Sequence, residues 1–229
     1  RPTGAATPAA GGPAPTGTGS QPTGRIELLA IGSSTGGPDA LTTLLPHLPA
    51  DLPVPVVITQ HMPPVFTRLF AQRLDAKCPL QVKEAEDGDR VQPGRVLVAP
   101  GDRHLVVERR GTALVARLSD APAENFCRPA VDVMFRSAAA VFGEGVLGVV
   151  LTGMGSDGAR GAEVLRAAGG EVVVQDQATS VVWGMPGATV AAGQAHRVLP
   201  LAEIARDTLT VLSRGRAAGR TPAAAGANT

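Results

Sequence analysis

Short apolar runs alternate with segments of helical spacing along most of this 229-residue chain. The apolar runs, which are typical of buried strands, lie at residues 26–31, 54–59, 96–99, 146–151 and 172–174. Segments with helical spacing lie at residues 38–48, 64–76, 129–142, 159–168, 186–192 and 201–212. Strands that alternate with helices favour a parallel sheet with right-handed crossovers. We therefore predict an α/β fold with a doubly wound, mostly parallel sheet and helices on both faces.

One stretch departs from this alternation. Residues 104–108 and 113–118 are both typical of strands and are joined through an Arg-Gly turn, which predicts an inserted antiparallel β hairpin. Apolar residues make up 44% of the chain, but aromatic residues only 3%, and Tyr is absent. The predicted core is therefore built from Val, Leu, Ala and Ile.

The two ends of the chain differ in composition from the rest. Residues 1–24 consist mainly of Pro, Gly, Ala, Thr and Ser. Such a segment buries too little apolar surface to offset its ordering entropy. We expect residues 1–24 to be a flexible linker, residues 25–213 the folded domain and residues 214–229 a disordered tail. Because the chain begins with Arg1 rather than Met, we expect a further segment upstream of the linker.

The charge and the cysteine content limit which partners and which cellular compartment are expected. The 21 basic and 20 acidic residues nearly balance, so net charge favours neither nucleic acid nor a membrane surface as partner. No apolar run approaches the roughly 20 residues of a membrane span, and nothing resembles a signal peptide. Cys78 and Cys127 form neither a metal-ligand pattern nor a disulfide framework. We therefore expect reduced thiols and a cytoplasmic location. The sequence does not fix the oligomeric state, and we expect a monomer.

The sequence Gly-Ser-Ser-Thr-Gly at residues 32–36 fits the pattern G-x-S-x-G, with Ser34 at its centre. It follows a predicted buried strand and precedes Pro38, a favoured first residue of a helix. A serine on a sharp turn from strand to helix is held above the sheet edge, within reach of a substrate. Ser34 is therefore a candidate nucleophile.

Two further strand ends supply partners for this serine. His61 follows the strand at residues 54–59, and Asp157 lies just beyond the strand at residues 146–151. A serine needs an imidazole to accept its proton and a carboxylate to orient that imidazole. The carboxyl ends of parallel strands share one sheet edge, so Ser34, His61 and Asp157 are a candidate triad. The backbone N–H groups of Thr35 and Met154 are candidates for an oxyanion hole.

The residues alone do not exclude other assignments of the base, of Asp157 and of the glycine-rich turn. The order Ser34, Asp157, His196 matches ordinary α/β-hydrolases, and His47 and His104 are weaker candidates for the base. Asp157 is also suited to capping the helix at residues 159–168. A glycine-rich turn before a helix also binds anions, so a non-catalytic anion- or nucleotide-binding module is the alternative function.

Residues 31–38 closely resemble the Ile-Gly-Ala-Ser-Thr-Gly-Gly-Pro segment of the CheB family, the bacterial chemotaxis receptor methylesterases. The resemblance continues in the family's order through residues 59–64, 66–67, 127–132, 151–158, 175–176, 179–180 and 184–186. The family's triad corresponds to Ser34, His61 and Asp157 and does not use the order with His196. The family usually has Ala at the position of Ser33, which argues against Ser33 as the nucleophile.

The resemblance implies a serine hydrolase that demethylates glutamate γ-methyl esters of chemoreceptor helices and releases methanol, without a metal or organic cofactor. It also implies deamidation of receptor glutamines. By the same resemblance, the predicted folded domain at residues 25–213 is expected to be the methylesterase catalytic domain. We expect mainly structural roles for residues 128–132, with Arg128 kept as a candidate contact to the receptor. The family carries an upstream phosphoacceptor receiver domain, and residues 1–24 resemble the linker that would follow it.

Overall fold

A computed structural model describes the backbone of residues 24–218 and the side chains of residues 24–214. The predicted linker, apart from Gly24, lies outside the described residues, as do residues 219–229 of the predicted tail. The last helix continues to Ala218. Residues 214–218 are therefore helical at the position where the tail was predicted to begin.

The strands of the described chain confirm the predicted α/β class. They are β1 (Leu28–Ser33), β2 (Val56–Gln60), β3 (Gln81–Glu84), β4 (Arg95–Val98), β5 (His104–Arg110), β6 (Ala113–Ser119), β7 (Val146–Val150), β8 (Glu171–Gln175) and β9 (Arg197–Leu199). Seven of them form one parallel sheet in the order β3-β4-β2-β1-β7-β8-β9. The other two, β5 and β6, form the predicted antiparallel hairpin.

Helices cover both faces of the sheet. They are α1 (Gly37–Leu44), α2 (Phe66–Asp75), α3 (Val131–Phe142), α4 (Ala159–Ala167), α5 (Met185–Ala191) and α6 (Leu201–Ala218). One core contains Ile31 of β1 with buried residues of α1, α2 and α6. The other contains Ala30 of β1 with buried residues of α3, α4, α5 and the hairpin. Successive strand residues point to opposite faces, so central strands buried on both sides appear as continuous apolar runs.

The edge strand β3 was not predicted, because its sequence contains no apolar run. It reads Gln-Val-Lys-Glu, and only Val82 is buried. The other edge strand, β9, overlaps residues 194–198 around His196, whose sequence is typical of a surface strand. An edge strand has a neighbour on one side alone, so its side chains need not be apolar.

The strand order places a topological switch beside β1. From β1 the chain moves to β2 on one side, and it later returns to β7 on the other side. In sheets of this kind, sites form at the carboxyl ends of the strands where the order reverses. The turns after β1, β2 and β7 therefore converge at one edge. No described helix combines the length and the apolar character that crossing a membrane requires.

Candidate active site

Ser34 lies on the predicted turn between β1 and α1. Its N–H donates to the carbonyl of Thr152 at 3.0 Å, which ties the turn to the segment that follows β7. Gly36 closes the turn with a φ of 81°, in the left-handed region that glycine adopts without strain. The neighbouring Ser33 is fully buried, and its hydroxyl donates to Gln60 Oε1 at 2.7 Å. Ser34, which is partly exposed, is therefore the serine available to a substrate.

The backbone fixes His61 next to this turn. The His61 N–H donates to the carbonyl of Ser33 at 3.1 Å, continuing the pairing of β1 with β2. The buried Gln60 side chain donates to the carbonyls of Ser34 and His61, each at 3.0 Å. The two predicted catalytic residues are thus held by one amide group that sequence reasoning did not single out.

His61 and Asp157 form a direct pair. His61 Nε2 lies 2.7 Å from Asp157 Oδ2, and the His61 side chain is 13% exposed. Asp157 itself is 1% exposed. A buried carboxylate that accepts a hydrogen bond from an imidazole fixes the ring and stabilises its protonated form. This geometry supports the predicted roles of His61 and Asp157.

The Asp157 carboxylate accepts four more hydrogen bonds. Oδ2 accepts from the Val131 N–H at 2.6 Å, and Oδ1 accepts from the N–H groups of Asp132 and Gly158, each at 3.0 Å. Oδ1 also accepts from Asn125 Nδ2 at 3.1 Å. Val131 and Asp132 are the first residues of α3, so the carboxylate lies at the positive end of that helix. Asp157 therefore caps α3, whereas the prediction was a cap on the helix that follows Asp157, to which it contributes only through the Gly158 N–H.

Asp132 caps the helix after Asp157. Its Oδ1 accepts from the N–H groups of Gly158 at 2.9 Å and Gly161 at 2.6 Å, at the start of α4. Asn125 Nδ2 bridges the two carboxylates, since it also donates to Asp132 Oδ2 at 2.9 Å. Asn125 has a φ of 49° and lies outside any periodic pattern, so nothing in the sequence singles it out.

The pKa values of the two aspartates, Asp157 and Asp132, are shifted in opposite directions. Burial alone would raise the pKa of Asp157, but the hydrogen bonds from His61 and from the Val131 N–H hold that pKa below its usual value. Burial raises the pKa of Asp132, against the hydrogen bond from the Gly161 N–H, and the charge of Asp157 adds to the increase. The ionised carboxylate beside the imidazole is therefore that of Asp157.

His61 titrates well above an ordinary histidine. Burial alone would lower its pKa, but the hydrogen bond with Asp157, the contact with Cys127 and their charges raise it to about 9. Cys127 Sγ lies 3.5 Å from His61 Nδ1. Nε2 faces Asp157, so Nδ1 is the ring nitrogen left to accept a proton from Ser34.

The Ser34 hydroxyl makes no hydrogen bond to His61 or to any other residue in the described range 24–218. Catalytic hydrogen bonds are often long before substrate binds. The structure therefore brings the three predicted residues to one place and forms the His61–Asp157 link, while the Ser34–His61 link stays a prediction.

The backbone around Ser34 leaves N–H groups available for an oxyanion. Neither Thr35 N–H nor Met154 N–H donates to another residue between 24 and 218. Thr152 Oγ1 donates to the Thr35 carbonyl at 2.9 Å, which joins the two turns that carry these groups. This arrangement supports the predicted oxyanion hole, whose assignment stays a prediction.

Gly153 lies against the candidate nucleophile. A Cβ atom at this position would stand 2.8 Å from Ser34 Cβ and 2.3 Å from Met185 Sδ. Gly153→Ala is therefore expected to displace Ser34 and to lower kcat by about 100-fold, the usual effect of a 1 Å misplacement. Steady-state rates of ester hydrolysis check this result. Gly193→Ala, which places a Cβ in open space at a φ of 70°, controls for general destabilisation. A folded Gly153→Ala enzyme with unchanged kcat would contradict the predicted position of Ser34.

The Arg128 side chain forms hydrogen bonds with other residues of the fold. Its guanidinium donates to Asp102 Oδ1 from Nε at 2.9 Å and from Nη2 at 2.6 Å. Nη1 donates to the carbonyls of Asp120 and Ala121. These contacts join the loops at the base of the β hairpin, as the expected structural role requires. The proposed contact of Arg128 with substrate stays a prediction.

The competing histidines lie elsewhere. His196 precedes β9 and therefore lies toward the amino end of that edge strand, away from the carboxyl ends that carry Ser34 and Asp157. Its Nδ1 accepts from the Val172 N–H at 3.0 Å. His104 is fully buried and accepts a hydrogen bond from the Ala130 N–H. The fold thus disfavours the order Ser34, Asp157, His196.

The sequence matches known proteins over most of its length. The profile of the family described as CheB methylesterase matches residues 29–208. A Nocardioides relative named protein-glutamate methylesterase/protein-glutamine glutaminase is 58% identical over 195 residues, which cover 85% of this chain and 53% of the relative. An Anaeromyxobacter dehalogenans relative with the same name, numbered 1, is 55% identical over 186 residues, which cover 81% and 53%.

A solved structure gives the same result for the fold. The crystal structure of the Thermotoga maritima CheB methylesterase catalytic domain superposes with a TM-score of 0.80 at 42% identity, covering 81% of this chain and 98% of that one. The chain spans about half the length of the curated relatives named above. The predicted resemblance is thereby confirmed, and the chain belongs to the CheB methylesterase family.

Proposed function

We propose that this chain is a serine hydrolase that removes methyl groups from glutamate γ-methyl esters of bacterial chemoreceptors and releases methanol. The hydrogen-bonded His61–Asp157 pair beside the Ser34 turn carries the proposal, because it supplies the base that a serine nucleophile needs. Relatives at 58% and 55% identity are named for both the methylesterase and the glutaminase. We therefore include deamidation of receptor glutamines. These observations support hydrolysis rather than the anion-binding alternative.

The proposed mechanism assigns a role to each of these residues. Ser34 Oγ attacks the γ-carbonyl carbon while His61 Nδ1 takes its proton, and Asp157 stabilises the imidazolium that results. The Thr35 and Met154 N–H groups hold the oxyanion. His61 then protonates the leaving group as its bond to the carbonyl carbon breaks, and the group departs as methanol from an ester or as ammonia from a glutamine. Water repeats the cycle on the acyl-enzyme and leaves a glutamate carboxylate.

The direct test is methanol release from a methylated receptor fragment, with an unmethylated fragment as control. A fluorophosphonate probe, followed by peptide mass mapping, is expected to label Ser34 in the same preparation. Labelling of Ser34 without methanol release would retain the hydrolase and reject the substrate. Absence of both would reject the proposed function.

The activity is expected to depend on pH through His61. Only the neutral imidazole accepts the Ser34 proton, and the pKa of His61 is raised to about 9. kcat/KM should therefore rise about tenfold per pH unit at neutral pH and level off near pH 9. Cys127→Ala removes one cause of the raised pKa, so its profile should shift to lower pH. Profiles recorded with a chelator present check this. A midpoint near 6.5 that Cys127→Ala leaves unchanged would contradict it.

The proposal extends to regulation and location. Exposed apolar side chains surround the triad: Phe126 is 104% exposed, Val181 70% and Met154 68%. We propose that an unphosphorylated receiver domain covers this surface in the full-length protein and that phosphorylation uncovers it. Both cysteines are free, in keeping with the proposed cytoplasmic location. Attaching the receiver should lower the basal rate, and an unchanged rate would reject this part of the proposal.

A further inference from the structure

Beside His61 lies the thiol of Cys127, which takes no part in the proposed hydrolysis steps. Cys127 Sγ lies 3.5 Å from His61 Nδ1, on the side of the ring that faces away from Asp157. One ligand atom from each of His61, Cys127 and Asp157 lies within 4.8 Å of the others. Sulfur and imidazole nitrogen are preferred ligands of Zn²⁺.

The hydrogen bond with Asp157 prepares Nδ1 to bind a metal. In the neutral ring, Nε2 carries the proton that is donated to Asp157 Oδ2 at 2.7 Å, so Nδ1 presents a lone pair. Histidines that bind metals usually donate their other ring N–H to a carboxylate in this way. The catalytic pair thus has the carboxylate–histidine arrangement that orients a zinc ligand.

The spacing of the two ligand atoms fits one ion. Zn–N bonds are about 2.0–2.1 Å long and Zn–S bonds about 2.3 Å. Two such bonds at a tetrahedral angle place the nitrogen and the sulfur roughly 3.5 Å apart. The observed separation of Nδ1 and Sγ is 3.5 Å. The distance between the two atoms is therefore the one that an ion bound to both requires.

We propose that His61 Nδ1 and Cys127 Sγ form an inhibitory binding site for Zn²⁺ at the active centre. The ion accepts a lone pair from each atom, and water fills the remaining positions. The Cys127 thiol releases its proton to solvent, and where His61 is an imidazolium the Nδ1 proton is released to solvent as well. No oxidation or reduction takes place. Bound zinc occupies the nitrogen that accepts the Ser34 proton, and hydrolysis stops.

The site is open to an ion from solution. The His61 side chain is 13% exposed, and Cys127 is half-buried. Asp157 stays outside the first coordination sphere, because its oxygens already accept hydrogen bonds from His61, from Asn125 and from backbone N–H groups. The inhibitory consequence rests on the proposed function, whereas binding of the ion does not.

The test uses the second free cysteine as a matched control. Chelator-treated wild type, Cys127→Ala, Cys127→Ser and Cys78→Ala are titrated with Zn²⁺ by calorimetry, and with Cd²⁺ by thiolate charge-transfer absorption. Wild type and Cys78→Ala should bind one equivalent with equal affinity. Both Cys127 variants should bind at least about 100-fold more weakly, because removing even an outer-sphere partner costs about 10–100-fold.

Activity is read separately, as the ratio of rates with and without Zn²⁺ for each protein. Zinc should inhibit wild type and Cys78→Ala, and a chelator should restore both. Equal zinc affinity in the Cys127 variants and wild type, or loss of binding in Cys78→Ala, would overturn the site. Binding at Cys127 without inhibition would overturn the inhibitory role. A wild type that binds zinc but lacks hydrolytic activity would count against the proposed function and leave the site standing.

Discussion

Ser34→Ala is expected to abolish methanol release, with a loss in kcat of about 10⁶-fold, comparable to the loss in other serine hydrolases that lack their nucleophile. The reason is chemical, because alanine offers no oxygen to form the acyl-enzyme. The Ser34 hydroxyl makes no hydrogen bond within residues 24–218, so the substitution removes little from the fold. Stability and receptor binding should stay close to wild type while turnover disappears.

Ser156→Ala is the matched control for this prediction. Ser156 is an exposed serine on the loop after β7, one residue before Asp157, and its hydroxyl has no hydrogen-bond partner in the described chain. Single-turnover methanol release and thermal unfolding compare the two variants. If Ser34→Ala kept more than a small fraction of wild-type turnover, Ser34 would not be the nucleophile.

Asp157→Asn is expected to lower both activity and stability. An amide in place of the carboxylate favours the wrong imidazole tautomer, a change that costs about 10⁴-fold in kcat in other serine hydrolases. The buried oxygens also accept N–H groups from Val131, Asp132 and Gly158, and one side of an amide cannot. We expect a loss of about 2–4 kcal/mol in the free energy of unfolding.

Asp132→Asn separates the two effects. Asp132 caps the N-terminus of α4 through Gly158 and Gly161 and does not contact His61. It should lose stability on a similar scale but far less kcat than Asp157→Asn. Denaturant unfolding and pre-steady-state rates check the pair. Equal losses of kcat in both variants would show that Asp157 acts only through the fold.

The fold was largely predictable because its central strands are buried on both faces. Ala30 and Ile31 lie in opposite cores, so β1 appears in the sequence as an unbroken apolar run. β3 was not predictable in the same way, because at the sheet edge only Val82 is buried. The positions of Ser34, His61 and Asp157 followed from a rule of the fold, namely that residues after parallel strands meet at one edge.

The support around the triad was not predictable. Asn125, whose φ is 49°, bridges two carboxylates from a loop, and Gln60 joins the turns of Ser34 and His61 through its side-chain amide. Neither contact corresponds to a periodic pattern in the sequence, because each depends on where one side-chain nitrogen points after the chain has folded. The direction of the pKa shift of His61 likewise depends on burial and on two neighbours, Asp157 and Cys127, that are remote in sequence.

The α/β class, the family and the residues that follow β1, β2 and β7 are predictable from the sequence, because hydrophobic periodicity and local motifs are properties of neighbouring residues. Packing of the elements sets which nitrogen of His61 faces Asp157 and which helix the Asp157 carboxylate caps, and it brings Cys127 to 3.5 Å from His61. Those relations join residues up to 96 positions apart, and hydrogen bonds and ligand geometry depend on distances and angles that are set only when the elements pack.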